Sequence, residues 1–303
     1  MTASTRLIND LIGERPVLTD GAWGTQMQAL GLALAGEPGE AWNLTHPEKV
    51  EQVARSYVEA GSRVILTNTF SGNRFVLARH GLADRVRDIN RAGAAISRRA
   101  APPGVSVFAS IGPSGVMLLS GETTEADLEN AFYEQADALA EGGADALVVE
   151  TMSDLAEARA AVRAAIRTGL PVVACMVFDS GREKDRTLMG VTAEEAAAGL
   201  QEAGASAIGA NCGNGPEGYL PICRRLREAT SLPVWLKPNA GLPEMVDGRA
   251  AYSMSPEAFA RGIDRLVQAG ADFVGGCCGT TPEFIRVLAR HRRDDPPPAG
   301  NRP

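Results

Sequence analysis

The chain has 303 residues, with 37 Asp or Glu against 30 Lys or Arg, and a formal net charge of -7. This acidic balance, without basic clusters, argues against nucleic acid as a partner. No apolar run reaches membrane-spanning length, and the first residues lack the apolar core of a signal peptide. The five cysteines, two of them adjacent, do not form a disulfide framework. We therefore expect a cytoplasmic protein.

Strand-like and helix-like segments alternate along the whole chain, as their apolar periodicity indicates. The eight predicted strands are, in chain order, Pro16–Asp20, Ser62–Thr67, Val105–Ile111, Ala146–Glu150, Pro171–Val177, Ala207–Asn211, Pro233–Lys237 and Phe273–Gly276. Helix-like stretches rich in Ala, Leu and Glu separate them, and many of these end on a glycine typical of a left-handed helix cap.

Eight such units predict an α/β fold, a single (β/α)₈ TIM barrel over residues 1–293, with its active site at the C-terminal ends of the strands. A doubly wound open sheet is the alternative. The segment Ser4–Gly13 is predicted to be a short helix that closes the bottom of the barrel. Residues 294–303 are rich in proline, cannot bury apolar surface, and are predicted to be disordered.

Three cysteines lie at predicted strand ends: Cys212 after one strand, and the pair Cys277 and Cys278 after another, each followed by glycine. Thiols in this setting suit a thiophilic cation, with Zn²⁺ the leading candidate. Three protein ligands would leave one tetrahedral position open, which is the pattern of a catalytic zinc. Two alternatives stay open: buried small hydrophobes, as expected for Cys175 and Cys223, and a redox pair, which the missing Cys-x-x-Cys spacing disfavours.

Polar residues follow two further strands. Asp20 precedes Gly21 and Ala22, whose backbone N–H groups could form an anion-binding nest. Glu150 follows four apolar residues and is costly to bury unpaired, so it is expected to meet a cation. A salt bridge from Glu150 to an arginine at the barrel mouth is the alternative. An α-amino acid with a side-chain thiol fits this set: ammonium to the two carboxylates, carboxylate to the nest, and sulfur to zinc.

With these residues the chain resembles a known family, the homocysteine S-methyltransferases. These include the betaine and S-methylmethionine enzymes and the homocysteine-binding module of cobalamin-dependent methionine synthase. The resemblance runs from about Val17 to Arg292. It rests on five motifs: Asp20-Gly-Ala-Trp-Gly24, Thr67-Asn-Thr-Phe70, Gly209-Ala-Asn-Cys-Gly213, Pro238-Asn-Ala-Gly-Leu-Pro243 and Gly275-Gly-Cys-Cys-Gly-Thr-Thr-Pro282.

The resemblance implies a zinc-dependent enzyme that transfers a methyl group to homocysteine and forms methionine. Zinc would be held by the three cysteines already named, and the homocysteine ammonium by Asp20 and Glu150. The homocysteine carboxylate would meet backbone near Gly21 and Ala22. The family also implies that Asn239 lies close to the metal before the substrate arrives.

The methyl donor is predicted to be a small onium compound, because the matched residues include no folate- or cobalamin-binding module. Betaine is slightly favoured over S-methylmethionine. Trp42 matches an aromatic residue that encloses betaine, and an indole face attracts a quaternary ammonium; a packed loop anchor is the other interpretation. Ser71 and Thr151 stand where the family leads us to expect tyrosines. The alternative function is a homocysteine-activating subunit that receives methyl from a corrinoid carrier protein. The sequence predicts no oligomeric state.

Overall fold

The computed structural model describes residues 3–33, 36–246 and 249–294. Its barrel strands are β1 (Val17–Leu18), β2 (Val64–Ile65), β3 (Ser106–Ile111), β4 (Ala146–Met152), β5 (Val172–Met176), β6 (Ala207–Asn211), β7 (Val234–Lys237) and β10 (Phe273–Val274). Two further strands, β8 (Glu244–Val246) and β9 (Arg249–Ala251), pair as an antiparallel hairpin after β7.

Helices surround the strands. They are α1 (Ala3–Ile12), α2 (Trp23–Ala29), α3 (Trp42–Thr45), α4 (Pro47–Ala60), α5 (Arg74–Ala78), α6 (Val86–Ala100), α7 (Glu125–Glu141), α8 (Leu155–Ile166), α9 (Ala193–Glu202), α10 (Pro216–Ala229), α11 (Pro256–Gln268) and α12 (Pro282–Asp294). Short 3₁₀ turns lie at Gly39–Ala41, Ala83–Arg85 and Leu118–Ser120.

The barrel strands run parallel in the order β1-β10-β7-β6-β5-β4-β3-β2. This arrangement is a single, nearly closed (β/α)₈ barrel, which confirms the predicted fold; the doubly wound open sheet is wrong. Because β1 pairs with β10, the strand that precedes Asp20 lies beside the strand that precedes Cys277.

In the described chain β1 and β2 are not paired as strands, and individual hydrogen bonds join their segments. The Arg63 N–H donates to the Leu18 carbonyl at 2.8 Å. Farther along, the Leu66 N–H donates to Oδ2 of Asp20 at 2.7 Å. A side-chain carboxylate thus takes the place of a backbone acceptor where these two strands meet.

Aromatic side chains fill the interior of the barrel. The rings of Phe108 and Trp235 stack with centroids 5.8 Å apart, and Phe273 lies 5.1 Å from Trp235. Ile8 and Leu11 of α1 belong to the same buried cluster. The prediction that the N-terminal helix closes the bottom of the barrel is therefore confirmed.

The C-terminal end of the described chain is helix α12, which runs through Asp294. The rest of the tail predicted to be disordered lies outside the described residues. No helix in the described ranges is long and apolar enough to cross a membrane.

Candidate metal and substrate site

The three cysteines converge at the C-terminal mouth of the barrel. The sulfur atoms of Cys212, Cys277 and Cys278 all lie within 4.8 Å of one another, and Sγ of Cys212 is 3.9 Å from Sγ of Cys278. All three side chains are partly buried. Soft sulfur donors grouped this closely match the ligand set of a zinc site with an open position.

Backbone contacts hold the cysteines in place. Cys212 has a φ of +65°, in the left-handed region that a residue with a Cβ seldom adopts. Its N–H donates to the Lys237 carbonyl at 3.1 Å, and the Tyr219 hydroxyl donates to its carbonyl. The N–H of Cys277 donates to the Pro238 carbonyl at 2.8 Å. Strain of this kind persists where the surroundings over-determine it, as they do here.

The pKa values of the three thiols are shifted in different directions. Hydrogen bonds from Cys277 and Cys278 lower the pKa of Cys212. Hydrogen bonding to Cys212 and burial raise the pKa of Cys277 well above its usual range, and the neighbouring Cys212 raises that of Cys278 to about 11. Without a cation, this cluster holds one thiolate and two thiols at neutral pH. Three thiolates at this spacing require a positive ion among them.

Asn239 adds a buried oxygen close to the cysteine cluster. Its Nδ2 donates to the Gly213 carbonyl at 2.9 Å, whereas its Oδ1 is buried without a hydrogen-bond partner among the described residues. The side chain of Asn239 also helps to lower the pKa of Cys212. An amide oxygen orphaned beside three thiols fits a bound metal, so the residues present are compatible with zinc.

Asn211 joins Glu150 to the cysteine cluster. Its Nδ2 lies 3.3 Å from Oε2 of Glu150 and 3.9 Å from Sγ of Cys277. The same amide holds Thr151, whose φ is +62°, through bonds of 2.7 Å to the Thr151 N–H and 2.6 Å to its hydroxyl. Ser110 also donates to Glu150. Asn211 lies inside one of the sequence motifs, but the sequence alone assigned it no role.

Asp20 is fully buried and already has protein donors. Its Oδ1 is 2.5 Å from Nζ of Lys237, and its Oδ2 accepts hydrogen bonds from Trp23 Nε1 and the Leu66 N–H, each at 2.7 Å. Lys237 is 2% exposed. Although burial opposes its charge, Asp20 and Glu150 raise the pKa of Lys237. Lys237 thus acts electrostatically on Glu150 as well as on Asp20, and the role of Glu150 toward a substrate ammonium stays a prediction.

Burial raises the pKa of Glu150, and Lys237 opposes that rise. The site therefore contains two carboxylates around one buried ammonium. Lys237 ends β7 in the predicted position, yet sequence reasoning gave it no function. The rule that singled out Glu150, a charge directly after apolar strand residues, would have found it.

The predicted anion nest is partly occupied. The Ala22 N–H lies 3.2 Å from Oγ1 of Thr280. A Cβ on Gly21 would come within 2.9 Å of both Thr280 and Tyr57, so this glycine allows close packing there. The role of Gly21 and Ala22 in binding a carboxylate stays a prediction.

Comparison with known proteins decides the family. The homocysteine S-methyltransferase family model matches residues 17–292. The chain belongs to the homocysteine S-methyltransferase family. It is 36% identical over 298 residues to methionine synthase from Mycobacterium tuberculosis (strain ATCC 25618 / H37Rv). The aligned region covers 92% of this chain and 25% of that protein. The methionine synthase of Mycobacterium leprae (strain TN) is 34% identical, with 92% and 24% covered. The chain thus spans about a quarter of the length of these curated relatives.

Among solved structures, the homocysteine methyltransferase MmuM from Escherichia coli has the same fold as this family member. Its metallated form superposes with a TM-score of 0.78 at 23% identity, covering 94% of this chain and 99% of MmuM. Its oxidized form gives a TM-score of 0.79 at the same identity and coverage.

Trp42, the predicted donor contact, packs in a buried cluster with Met27 and Val50. Its Nε1 donates to Oε1 of Glu37 at 3.0 Å, and Nζ of Lys49 lies 4.7 Å over its ring. These contacts suit the packed-anchor interpretation, because the ammonium of Lys49 already lies over the indole ring. Its role toward a donor stays a prediction.

Tyr252, just after the β8–β9 hairpin, is a site residue that the sequence did not indicate. A Cβ on Gly279 would lie 2.3 Å from Cγ of Tyr252, so the ring packs directly on the backbone that follows Cys278. Its phenol opposes the rise in the pKa of the Cys278 thiol. Burial and this thiol together raise the pKa of Tyr252. The aromatic ring thus covers one side of the cysteine cluster in this family member.

The two remaining cysteines lie apart from the cluster. Cys175 is buried within β5, and Cys223 is buried within α10. Burial raises the pKa of Cys175 well above its usual range and that of Cys223 to about 12. Their interpretation as buried small hydrophobes is confirmed.

Proposed function

We propose that this chain is a zinc-dependent homocysteine S-methyltransferase that forms methionine. One observation carries the proposal: in a member of this family, three thiols from two barrel strands lie within 4.8 Å of one another. The orphaned Oδ1 of Asn239 beside them supports a metal at the same place. Zinc held by Cys212, Cys277 and Cys278 would lower the pKa of the homocysteine thiol, so that the sulfur enters the reaction as a nucleophile.

The residues of the chain would bind and orient the substrate. Carboxylate and ammonium groups at the mouth fix the amino acid end, which leaves its sulfur directed at the cysteine cluster. In the reaction the homocysteine sulfur forms a bond to the methyl carbon, and the bond from that carbon to its onium nitrogen or sulfur breaks. The leaving group departs with the electron pair as a neutral amine or thioether. Positioning in line supplies much of the acceleration.

For the donor we propose a small onium compound, with betaine and S-methylmethionine as the two candidates. The case for betaine in particular depended on Trp42. Since Lys49 lies over that ring, the proposal no longer relies on Trp42 and gives neither donor precedence.

A methyl group delivered by a corrinoid carrier protein is the second candidate. Two observations favour it. The relatives that contain the equivalent module are about four times as long as this chain. In addition, large apolar side chains are exposed in the segments that follow β3, β5 and β7, namely Met117, Leu188, Met189, Leu242 and Met245. We propose that these side chains form a surface that meets another protein, as large exposed apolar patches do.

A donor panel tests both candidates. Zinc-loaded protein and homocysteine are incubated with betaine, with S-methylmethionine and with a methylated corrinoid, and methionine is measured. Turnover with either onium compound supports the first candidate, and turnover with the corrinoid alone supports the second. Absence of methionine with every donor, from a protein that contains zinc, would contradict the proposed activity.

A further inference from the structure

Two buried hydroxyl groups donate to the carbonyls of cysteines in the cluster. The hydroxyl of Tyr219, on α10, donates to the carbonyl of Cys212. The hydroxyl of Thr280 donates to the carbonyl of Cys277 at 2.7 Å. Tyr219 is 1% exposed, and Thr280 has no exposed surface. Because both side chains are shielded from water, the loss of either bond would be costly.

The N–H groups of the same two cysteines are held at the end of β7. The Cys212 N–H donates to the carbonyl of Lys237 at 3.1 Å, and the Cys277 N–H donates to that of Pro238 at 2.8 Å. The peptide group before each cysteine is thus held by one of two consecutive carbonyls, and the peptide group after it by a hydroxyl. Because a residue has only two soft backbone dihedrals, fixing both peptide planes fixes the direction of its Cα–Cβ bond.

Cys212 depends strongly on these restraints. Its φ of +65° lies in the left-handed region, which a residue with a Cβ seldom adopts. Rotation of the following peptide group toward a common conformation would swing the side chain away from Cys278, whose sulfur lies 3.9 Å from that of Cys212. The hydrogen bond from the Tyr219 hydroxyl opposes this rotation, because its acceptor belongs to that peptide group.

Thr280 is closely fitted between two glycines. A Cβ on Gly276 would lie 2.4 Å from Oγ1 of Thr280, and a Cβ on Gly21 would lie 2.9 Å from the same atom. The Thr280 hydroxyl also accepts a hydrogen bond from the Ala22 N–H at 3.2 Å. The Cys277 carbonyl accepts the Thr280 N–H at 3.1 Å as well. This one side chain therefore closes the turn after Cys277 and joins it to the segment that follows β1.

We propose that Tyr219 and Thr280 are positioning residues for the metal site. Each fixes the peptide group that follows a cluster cysteine, so that the sulfur atoms converge on one cation. Neither hydroxyl is assigned a contact with the cation or the substrate, because each acts through the cysteine whose carbonyl it binds. This inference rests on the proposed function, since it takes the cysteine cluster to be a zinc site.

Two variants remove one hydroxyl each and nearly preserve the shape of the side chain: Tyr219→Phe and Thr280→Val. Each should weaken zinc binding by roughly 10- to 100-fold, the loss typical of a partner that orients a metal ligand. Competition for zinc with a fluorescent chelator measures the affinity. The cobalt form gives a second readout, because a sulfur that turns away from the metal lowers the sulfur-to-cobalt absorption at saturating cobalt. Neither measurement depends on turnover.

Thr280→Ser is the conservative variant. It keeps the hydroxyl, so it should retain the zinc affinity and the cobalt absorption of the unsubstituted protein. Thr230→Val is the matched control, because Thr230 is a buried threonine at the C-terminal end of α10 whose hydroxyl donates to Oε1 of Gln201 at 2.6 Å. It should lower the free energy of unfolding without changing either metal readout.

The two test variants act on different cysteines, so if one fails to fold, the other decides the inference. Unchanged zinc affinity and cobalt absorption in the folded variants would overturn it, and so would an equal loss of affinity in Thr230→Val. The proposed function would survive either result, provided that the unsubstituted protein binds zinc and forms methionine. If the unsubstituted protein binds no zinc, the proposed function and this inference both fail.

Discussion

The sulfur atoms of Cys212 and Cys278 lie 3.9 Å apart, although 66 positions separate the two residues in the chain. The intervening chain forms α10, β7, the hairpin, α11 and β10, and returns to the same end of the barrel. The parallel order of β6, β7 and β10 produces this proximity, because strands of one direction present their C-terminal ends at one face.

Removal of one thiol should abolish metal binding. We expect the purified protein to hold one zinc per chain and Cys278→Ser to hold almost none, since a serine hydroxyl is a weak zinc ligand at neutral pH. Elemental analysis after exhaustive dialysis measures this. Cys223→Ala, at a buried cysteine of α10, is the control and should retain its zinc. Full zinc occupancy in Cys278→Ser would contradict the three-cysteine site.

Zinc affinity should rise steeply with pH. At neutral pH Cys212 is a thiolate because its pKa is lowered, whereas Cys277 and Cys278 are thiols because theirs are raised. Binding must therefore release two protons, and affinity should increase roughly 100-fold per pH unit around neutrality. Calorimetry in buffers of different ionisation enthalpy counts the protons. Release of three would show that the metal-free cluster carries no thiolate.

The phenol of Tyr252 should tune the cysteine cluster. Tyr252→Phe keeps the ring on Gly279 but removes the phenol hydroxyl that lowers the pKa of Cys278. Loss of such an outer-shell partner typically weakens metal binding by roughly 10- to 100-fold. Competition with a chromophoric chelator measures the affinity, and the spectrum of the cobalt form reports the change at sulfur. Tyr133→Phe, on α7, is the control; identical affinities in both variants would rule out this role.

Asn211 should contribute both to the stability of the protein and to substrate binding. Asn211→Ala removes its bonds to Thr151 and Glu150, so we expect a loss of about 2 kcal/mol in the free energy of unfolding and a higher KM for homocysteine. Denaturant unfolding and initial rates measure the two effects. Asn73→Ala, which removes the N-cap of α5, should lower stability without changing KM. If KM also rose by a similar factor in Asn73→Ala, the effect of Asn211→Ala on KM would be explained by general destabilisation.

The sequence predicts the barrel and the cysteine cluster because both depend on local patterns. Apolar runs locate the strands, and Cys212 and Cys277 each follow one of them. Because eight parallel strands form a barrel, their C-terminal ends lie on one common face. The strand bounds are less exact: Pro16–Asp20 is predicted, whereas β1 is Val17–Leu18, although backbone hydrogen bonds to the β10 segment continue at Thr19 and Asp20.

Contacts across the barrel are harder to predict. Lys237 reaches Asp20 across 217 positions, and a lysine at a strand end is usually solvated. Tyr252 follows a hairpin whose position over the cluster depends on tertiary packing. No local period in the sequence encodes either contact.

The closure between β1 and β2 has a consequence for how this protein responds to its substrate. One oxygen of Asp20 accepts a hydrogen bond from the Leu66 N–H across the gap, and the other is paired with the buried Lys237. The same carboxylate thus links the buried cation at the mouth to the junction between β1 and β2. A ligand bound at the C-terminal mouth of the barrel should therefore slow hydrogen exchange of the Leu66 amide. That exchange rate would then report ligand binding from within the barrel wall.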